Sequence, residues 1–164
     1  MNMIPYSPEP FTDFSAPSEA AAYAAALRGV RGRFPVRVPI VIGGKRIFTK
    51  ETTMSVNPSL TEETVGEAAK ADRALAEQAL QAACDAYKSW SALPPEARAG
   101  LLFKTAAILR RRKHEFSALM TLEAGKVRAE ADADTAEAID FLEYYGRQMI
   151  RLARHASDQL IPMK

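Results

Sequence analysis

The sequence predicts a mostly α-helical chain with a small antiparallel β patch before residue 72. Three observations carry that expectation. Apolar residues recur at helical spacing over most of 72–153, β-branched runs flank a Gly-Gly pair between 36 and 48, and prolines or glycines punctuate the junctions.

Residues 1–16, MNMIPYSPEPFTDFSA, combine proline with aromatic side chains and read as an extended arm lying against a larger body. Ser18 is placed to cap a helix through EAAAYAAALRGVRG, where alanine gives high propensity and Gly29 or Gly32 can end it. In VRVPIVIGGKRIF, Gly43-Gly44 can take the positive φ angles of a two-residue hairpin turn. TTMSVNPS and ETVGEAAKA are further strand candidates separated by Pro58 and the polar SLTEE, so 36–70 is expected to form the antiparallel patch.

Asp72 is a natural N-cap for RALAEQALQAACDAYKSW, whose Ala76, Ala79, Leu80, Ala83, Ala86, Tyr87 and Trp90 are expected to form one buried face. Pro94 and Pro95 open the next helix. Its stripe of Leu102, Ala106, Leu109, Phe116, Leu119 and Met120 runs until Gly125 stops it. A further helix is expected over 129–153, and the tail SDQLIPMK reads as the start of a strand with Pro162 at an edge.

The helix over 129–153 has two apolar sides. Ile139, Leu142, Gly146 and Met149 form an ordinary core face, but Glu137, Phe141, Tyr144, Tyr145 and Gln148 fall together opposite, where solvent-facing Lys and Glu are usual. Burying three rings and a carboxylate there requires a further domain or a pocket, or else plain packing with Glu137 satisfied by an Arg or a backbone N–H.

Composition narrows the remaining classes. At 164 residues and 48% hydrophobic content, the chain can bury one ordinary core, as a single domain or a piece of one. A net charge of +2 gives no general pull towards nucleic acid or anionic membrane. The single cysteine suits a reducing compartment, and neither a leader pattern nor a membrane-spanning run is visible, so a cytoplasmic protein is expected.

Cys84 has no histidine in its own helix and is expected to be a small buried hydrophobe. His114 and His155 offer no metal-ligand spacing. The run RRRKH at 110–114 could grip phosphates, but without interleaved aromatics it reads as a solvated face with carboxylate partners. EAGK at 123–126 reads as a helix C-cap followed by a charge near the negative end of the dipole. No Walker loop, G-x-G-x-x-G or G-x-S-x-G occurs, and no catalytic set is complete.

Taken in order, VIGGKRI, SVNPSLTEETVGEAAKA, AYKSW, LPPEARAGLLFKTAAILRRRKHEFSALMTLEAGK and ADTAEAIDFLEYYG resemble the N-terminal region of the aldehyde dehydrogenase superfamily over about residues 38–164. The arm, the first helix and AEAIDFLEYYG look most like the branch that oxidises L-glutamate γ-semialdehyde to L-glutamate in proline catabolism.

The resemblance implies an α/β enzyme of greater length with NAD as cofactor and a homo-oligomeric assembly. Residues 1–35 would be an arm and helix, 36–150 the first part of the NAD-binding domain, and 151–164 the start of an oligomerisation flap. The cofactor loop, the general-base glutamate and the nucleophilic cysteine would lie beyond residue 164, so no catalytic or cofactor-binding residue is assigned here, and this portion alone is expected to be inactive.

The resemblance assigns two substrate-binding residues, Glu137 near the substrate ammonium group and Phe141 along its aliphatic stem. Spacing i, i+4 puts both on one helical face. Alternatives from other classes are a freestanding helical interaction module using 137–148, an RNA or DNA binder using Arg110 to Lys113, and a dehydrogenase for another aldehyde.

Overall fold

Proline starts and glycine stops delimit much of the helical structure. The computed structural model describes residues 4–158. Helix α1 (Pro17–Arg31) begins one residue before the expected cap, with Pro17 in the first turn, where its missing N–H removes no intrahelical bond. Ser18 therefore lies inside the helix, and Ala16 occupies the cap position without a side-chain hydrogen bond. Gly32 closes the helix by donating its N–H to Arg28 O at 2.9 Å.

Strands β1 (Val36–Val38), β2 (Ile40–Ile42), β3 (Lys45–Ile47), β4 (Thr52–Asn57) and β5 (Leu60–Ala69) follow. The hairpin pairs Ile40 with Ile47 and Ile42 with Lys45, and its turn residues Gly43 and Gly44 have φ of 55° and 78°. The expected antiparallel patch is corrected in two ways. Pro39 divides the first β-branched run, and β1 leaves the hairpin to pair in parallel with β5. A Cβ on Gly66 would lie 2.9 Å from Val36 O, so glycine permits that approach. The result is a three-stranded sheet in the order β1-β5-β4 beside the two-stranded β2-β3 ribbon. SLTEE is also largely strand: β5 starts at Leu60, and Asn57 Oδ1 accepts the Ser59 N–H at 2.9 Å across the turn.

Helix α2 (Arg73–Ser91) has the expected cap, with Asp72 accepting the Leu75 N–H at 2.8 Å. Its expected burial is wrong. No α2 residue is buried, and Leu80, Tyr87, Trp90 and Cys84 are exposed. The helix leans chiefly on β2. Periodicity correctly marks an apolar face but says nothing about whether the covering residues lie in the same stretch of chain.

The single helix expected between Pro95 and Gly125 is two, α3 (Pro95–Arg111) and α4 (Lys113–Ala124), broken at Arg112 with φ −112° and ψ 22°. Neither glycine nor proline marks the break. The turn lets Lys113 reach Asp132 at 2.9 Å and brings Ser117 and Thr121 of α4 onto Tyr23 of α1. Gly125 ends α4 in the left-handed region at φ 70°.

Helix α5 (Arg128–Asp158) packs mainly on α3 and α4. Ala99 and Ala106 of α3 and Ala131, Ala136 and Ile139 of α5 are buried, while Tyr23, Val30, Ala118 and Leu122 form the α1–α4 core beneath Phe14 and Phe34. The tail reading is corrected up to Asp158, because 157 and 158 continue α5; the remainder of the expected strand, including Pro162, lies outside the described residues. No helix among the described residues is long and apolar enough to cross a membrane.

Candidate functional site

At 3.6 residues per turn, α5 presents three stripes. Ile139, Leu142, Gly146 and Met149 face the other helices, and a Cβ on Gly146 would lie 2.5 Å from a Phe103 ring carbon, so the helices meet at contact distance there. Thr135 joins the same side, its hydroxyl donating to Ala131 O at 3.0 Å and pairing with Ser117 Oγ at 2.8 Å.

The second stripe, Asp132, Asp140, Glu143 and Arg147, is covered by the N-terminal arm. Thr12 donates its N–H to Asp132 Oδ2 at 2.8 Å and its hydroxyl to Oδ1 at 2.6 Å. Lys113 donates to the same carboxylate at 2.9 Å and to Pro10 O at 2.9 Å. Burial acts most strongly on Asp132 and would raise its pKa, but the Thr12 hydrogen bonds and the Lys113 ammonium together hold it below the usual carboxylate range. Further along, the Glu9 N–H donates to Asp140 Oδ1 at 2.7 Å, Arg110 bridges Glu9 and Glu143 at 2.8 and 3.3 Å, and Arg147 donates to Ile4 O at 3.2 Å. The arm expected from the proline-aromatic composition thus lies along one helix.

The third stripe holds Glu137, Phe141 and Tyr145, with Tyr144 at its edge. Phe141 is 51% and Tyr145 58% exposed, and Glu137 is exposed as well. The structure places Glu137 and Phe141 on one face, one turn apart. It does not bury that face: α3 and α4 occupy one side of α5 and the arm a second, leaving the third open among the described residues. The further domain or pocket that the sequence calls for on this face is not supplied by the described residues, and Glu137 makes no ion pair among them.

Carboxylates nevertheless act on a lysine beside this face. Lys126 hydrogen-bonds Asp134, which holds its ammonium above the ordinary pKa, and Glu130 and Glu137 add to that pull. One ammonium thus feels three carboxylates in the first turns of α5, of which Asp134 is its hydrogen-bond partner. Phe141 and Tyr145, with ring centroids 6.0 Å apart, continue the face as an apolar strip.

Other sequence candidates divide cleanly. In the RRRKH run, Arg110 pairs with Glu9 and Glu143, Arg112 with Glu115, Lys113 with Asp132 and His114 with Glu19, as the carboxylate-partner reading expects. Cys84 stands exposed on α2, and His114 lies on α4, so no thiol–imidazole pair is built from them. Sequence reasoning missed Asp132, Asp140 and Tyr6; the one available signal was the aromatic arm, whose landing place no local pattern encodes.

Residues 48–163 match the aldehyde dehydrogenase family. Over 148 residues, 90% of this chain, the sequence is 53% identical to a 1-pyrroline-5-carboxylate dehydrogenase of Geobacillus thermodenitrificans, and it spans 29% of that relative's length. The fold superposes on 1-pyrroline-5-carboxylate dehydrogenase from Thermus with bound NAD at a TM-score of 0.87 and 48% identity, covering 90% of this chain and 28% of that one. A proline utilization A structure from Bdellovibrio bacteriovorus aligns at a TM-score of 0.89 and 40% identity, over 93% of this chain and 16% of that one.

Proposed function

The chain belongs to the aldehyde dehydrogenase family, and from that premise we propose that it forms the N-terminal portion of a cytoplasmic, homo-oligomeric, NAD-dependent enzyme that oxidises L-glutamate γ-semialdehyde to L-glutamate in proline catabolism. The observation that carries this reading is the 53% identity, over nearly the whole chain, to relatives bearing one activity name.

Within that enzyme the open stripe of α5 is one wall of the substrate channel. The Glu137 carboxylate faces the ammonium group of the amino-acid aldehyde, and the pair strengthens as the rest of the enzyme covers it and lowers the local dielectric. One turn on, Phe141 packs along the aliphatic stem and excludes water, and Tyr145 extends the strip. These residues fix the orientation in which the aldehyde carbon meets the reacting groups; they perform no bond-making themselves.

NAD, when bound, accepts the hydride. The described residues do not suit a dinucleotide. No helix begins at a glycine-rich turn presenting free amides to a phosphate, and the one nearby glycine-lysine pair is engaged, with Gly125 capping α4 and Lys126 bonded to Asp134. Cofactor contact therefore belongs to other parts of the enzyme. The open faces of α2 and α5 would also serve a freestanding interaction module, but that reading leaves the identity to whole dehydrogenases without a cause.

The test is turnover. The complete enzyme should reduce NAD with L-glutamate γ-semialdehyde, and the 164-residue chain alone should not. Turnover by the chain alone, or a complete enzyme inert towards this aldehyde but active on an unrelated one, overturns the assignment.

A further inference from the structure

The residues matching the general family begin at 48, yet the segment that borders the open stripe of α5 is the arm at 4–14. Relatives aligned over 148 residues carry the likeness back well before that start. The arm thus lies outside the residues that match the family and against the helix that carries the open stripe.

Its contact with the stripe is aromatic. Four rings follow one another round α5: Phe141 and Tyr145 at 6.0 Å between centroids, Tyr145 and Tyr144 edge-to-face at 5.4 Å, and Tyr144 and Tyr6 edge-to-face at 5.6 Å. Three of these belong to the helix and the fourth to the arm. Tyr6 is itself held on both sides, since Ile4 O accepts from Arg147 at 3.2 Å and the Glu9 N–H donates to Asp140 at 2.7 Å. A half-exposed ring on a helix has several rotamers open to it, and an edge-to-face neighbour removes some of them.

We propose that Tyr6 is a positioning residue for substrate specificity: anchored by the arm, it braces Tyr144 and, through Tyr145, holds Phe141 in the rotamer that packs on the stem of the amino-acid aldehyde. Tyr6 touches no substrate. This rests on the reading of Glu137 and Phe141 as substrate-facing. It predicts an effect on recognition of the long, charged aldehyde and none on a short aldehyde that never reaches this wall.

The experiment compares L-glutamate γ-semialdehyde with propionaldehyde in the complete enzyme. Tyr6→Ala should raise KM for the semialdehyde about threefold at unchanged kcat and leave KM for propionaldehyde as it was, and Tyr6→Phe should restore the parent value. Tyr6→Leu, which keeps an apolar cover over the helix and so protects folding, should show the same selective rise as alanine. Equal changes for both aldehydes, a fall in kcat instead, or no change in either the alanine or the leucine variant overturns the proposal. Glu137→Ala, measured alongside, separates the two levels. If it is selective and the Tyr6 variants are not, only the role of Tyr6 falls; if it affects both aldehydes alike, the substrate-face reading falls first.

Discussion

Asp132 shows how much one buried charge can organise. It is 1% exposed and is satisfied by three donors drawn from two separate segments, the Thr12 N–H and hydroxyl and the Lys113 ammonium. Asp132→Ala leaves Lys113 without its charge partner and is expected to cost about 3 kcal/mol, read as a lowered thermal midpoint of the complete enzyme; Asp132→Asn, which keeps one acceptor oxygen for Thr12, should cost less. Glu115 gives the matching pH prediction. Hydrogen bonds from Arg112 and Arg33 pull its pKa from 4.5 down to about 2. A depressed carboxylate stabilises the folded form above its ordinary pKa, so this contribution is intact above pH 4.5 and is lost as the pH falls towards about 2. In Arg112→Gln, stability measured across that acidic window should vary less with pH than in the parent; an unchanged slope would contradict the pairing.

At the scale of elements, the α3–α5 contact depends on a missing side chain. Gly146→Ala would set its new methyl 2.5 Å from the Phe103 ring, and overpacking of this kind is expected to cost about 1–3 kcal/mol. The combination Gly146→Ala with Phe103→Leu should recover part of that loss in thermal unfolding; a double variant less stable than Gly146→Ala alone would argue against the clash. Local chemistry made several elements legible in advance. Asp72 caps α2, Gly43-Gly44 turns the hairpin and Gly125 stops α4, each by an interaction within a few residues. The features that were not legible depend on partners far along the chain. The parallel β1–β5 pairing rests on Gly66 meeting Val36, and the break at Arg112 answers to Tyr23 and Asp132; Ser18 is a local case, since α1 begins at Pro17 and Ala16 takes the cap position.

Across the whole molecule, the two apolar faces of the sequence, on α2 and on α5, are both real and both open among the described residues. The pattern announced them correctly but could not say what covers them. For a chain spanning 29% of its relative's length, the simplest cover is the rest of the enzyme. Hydroxyl-radical labelling should therefore modify Trp90 and Tyr87 readily in the 164-residue chain and weakly in the complete enzyme; equal labelling would leave α2 a free surface. The same logic governs the central claim, that the Glu137 stripe of α5 faces substrate. Its most direct test is the ratio of KM values for L-glutamate γ-semialdehyde and propionaldehyde in the complete enzyme carrying Glu137→Ala. A rise of about tenfold confined to the amino-acid aldehyde is the predicted result, and equal effects on the two aldehydes, or none, would contradict it.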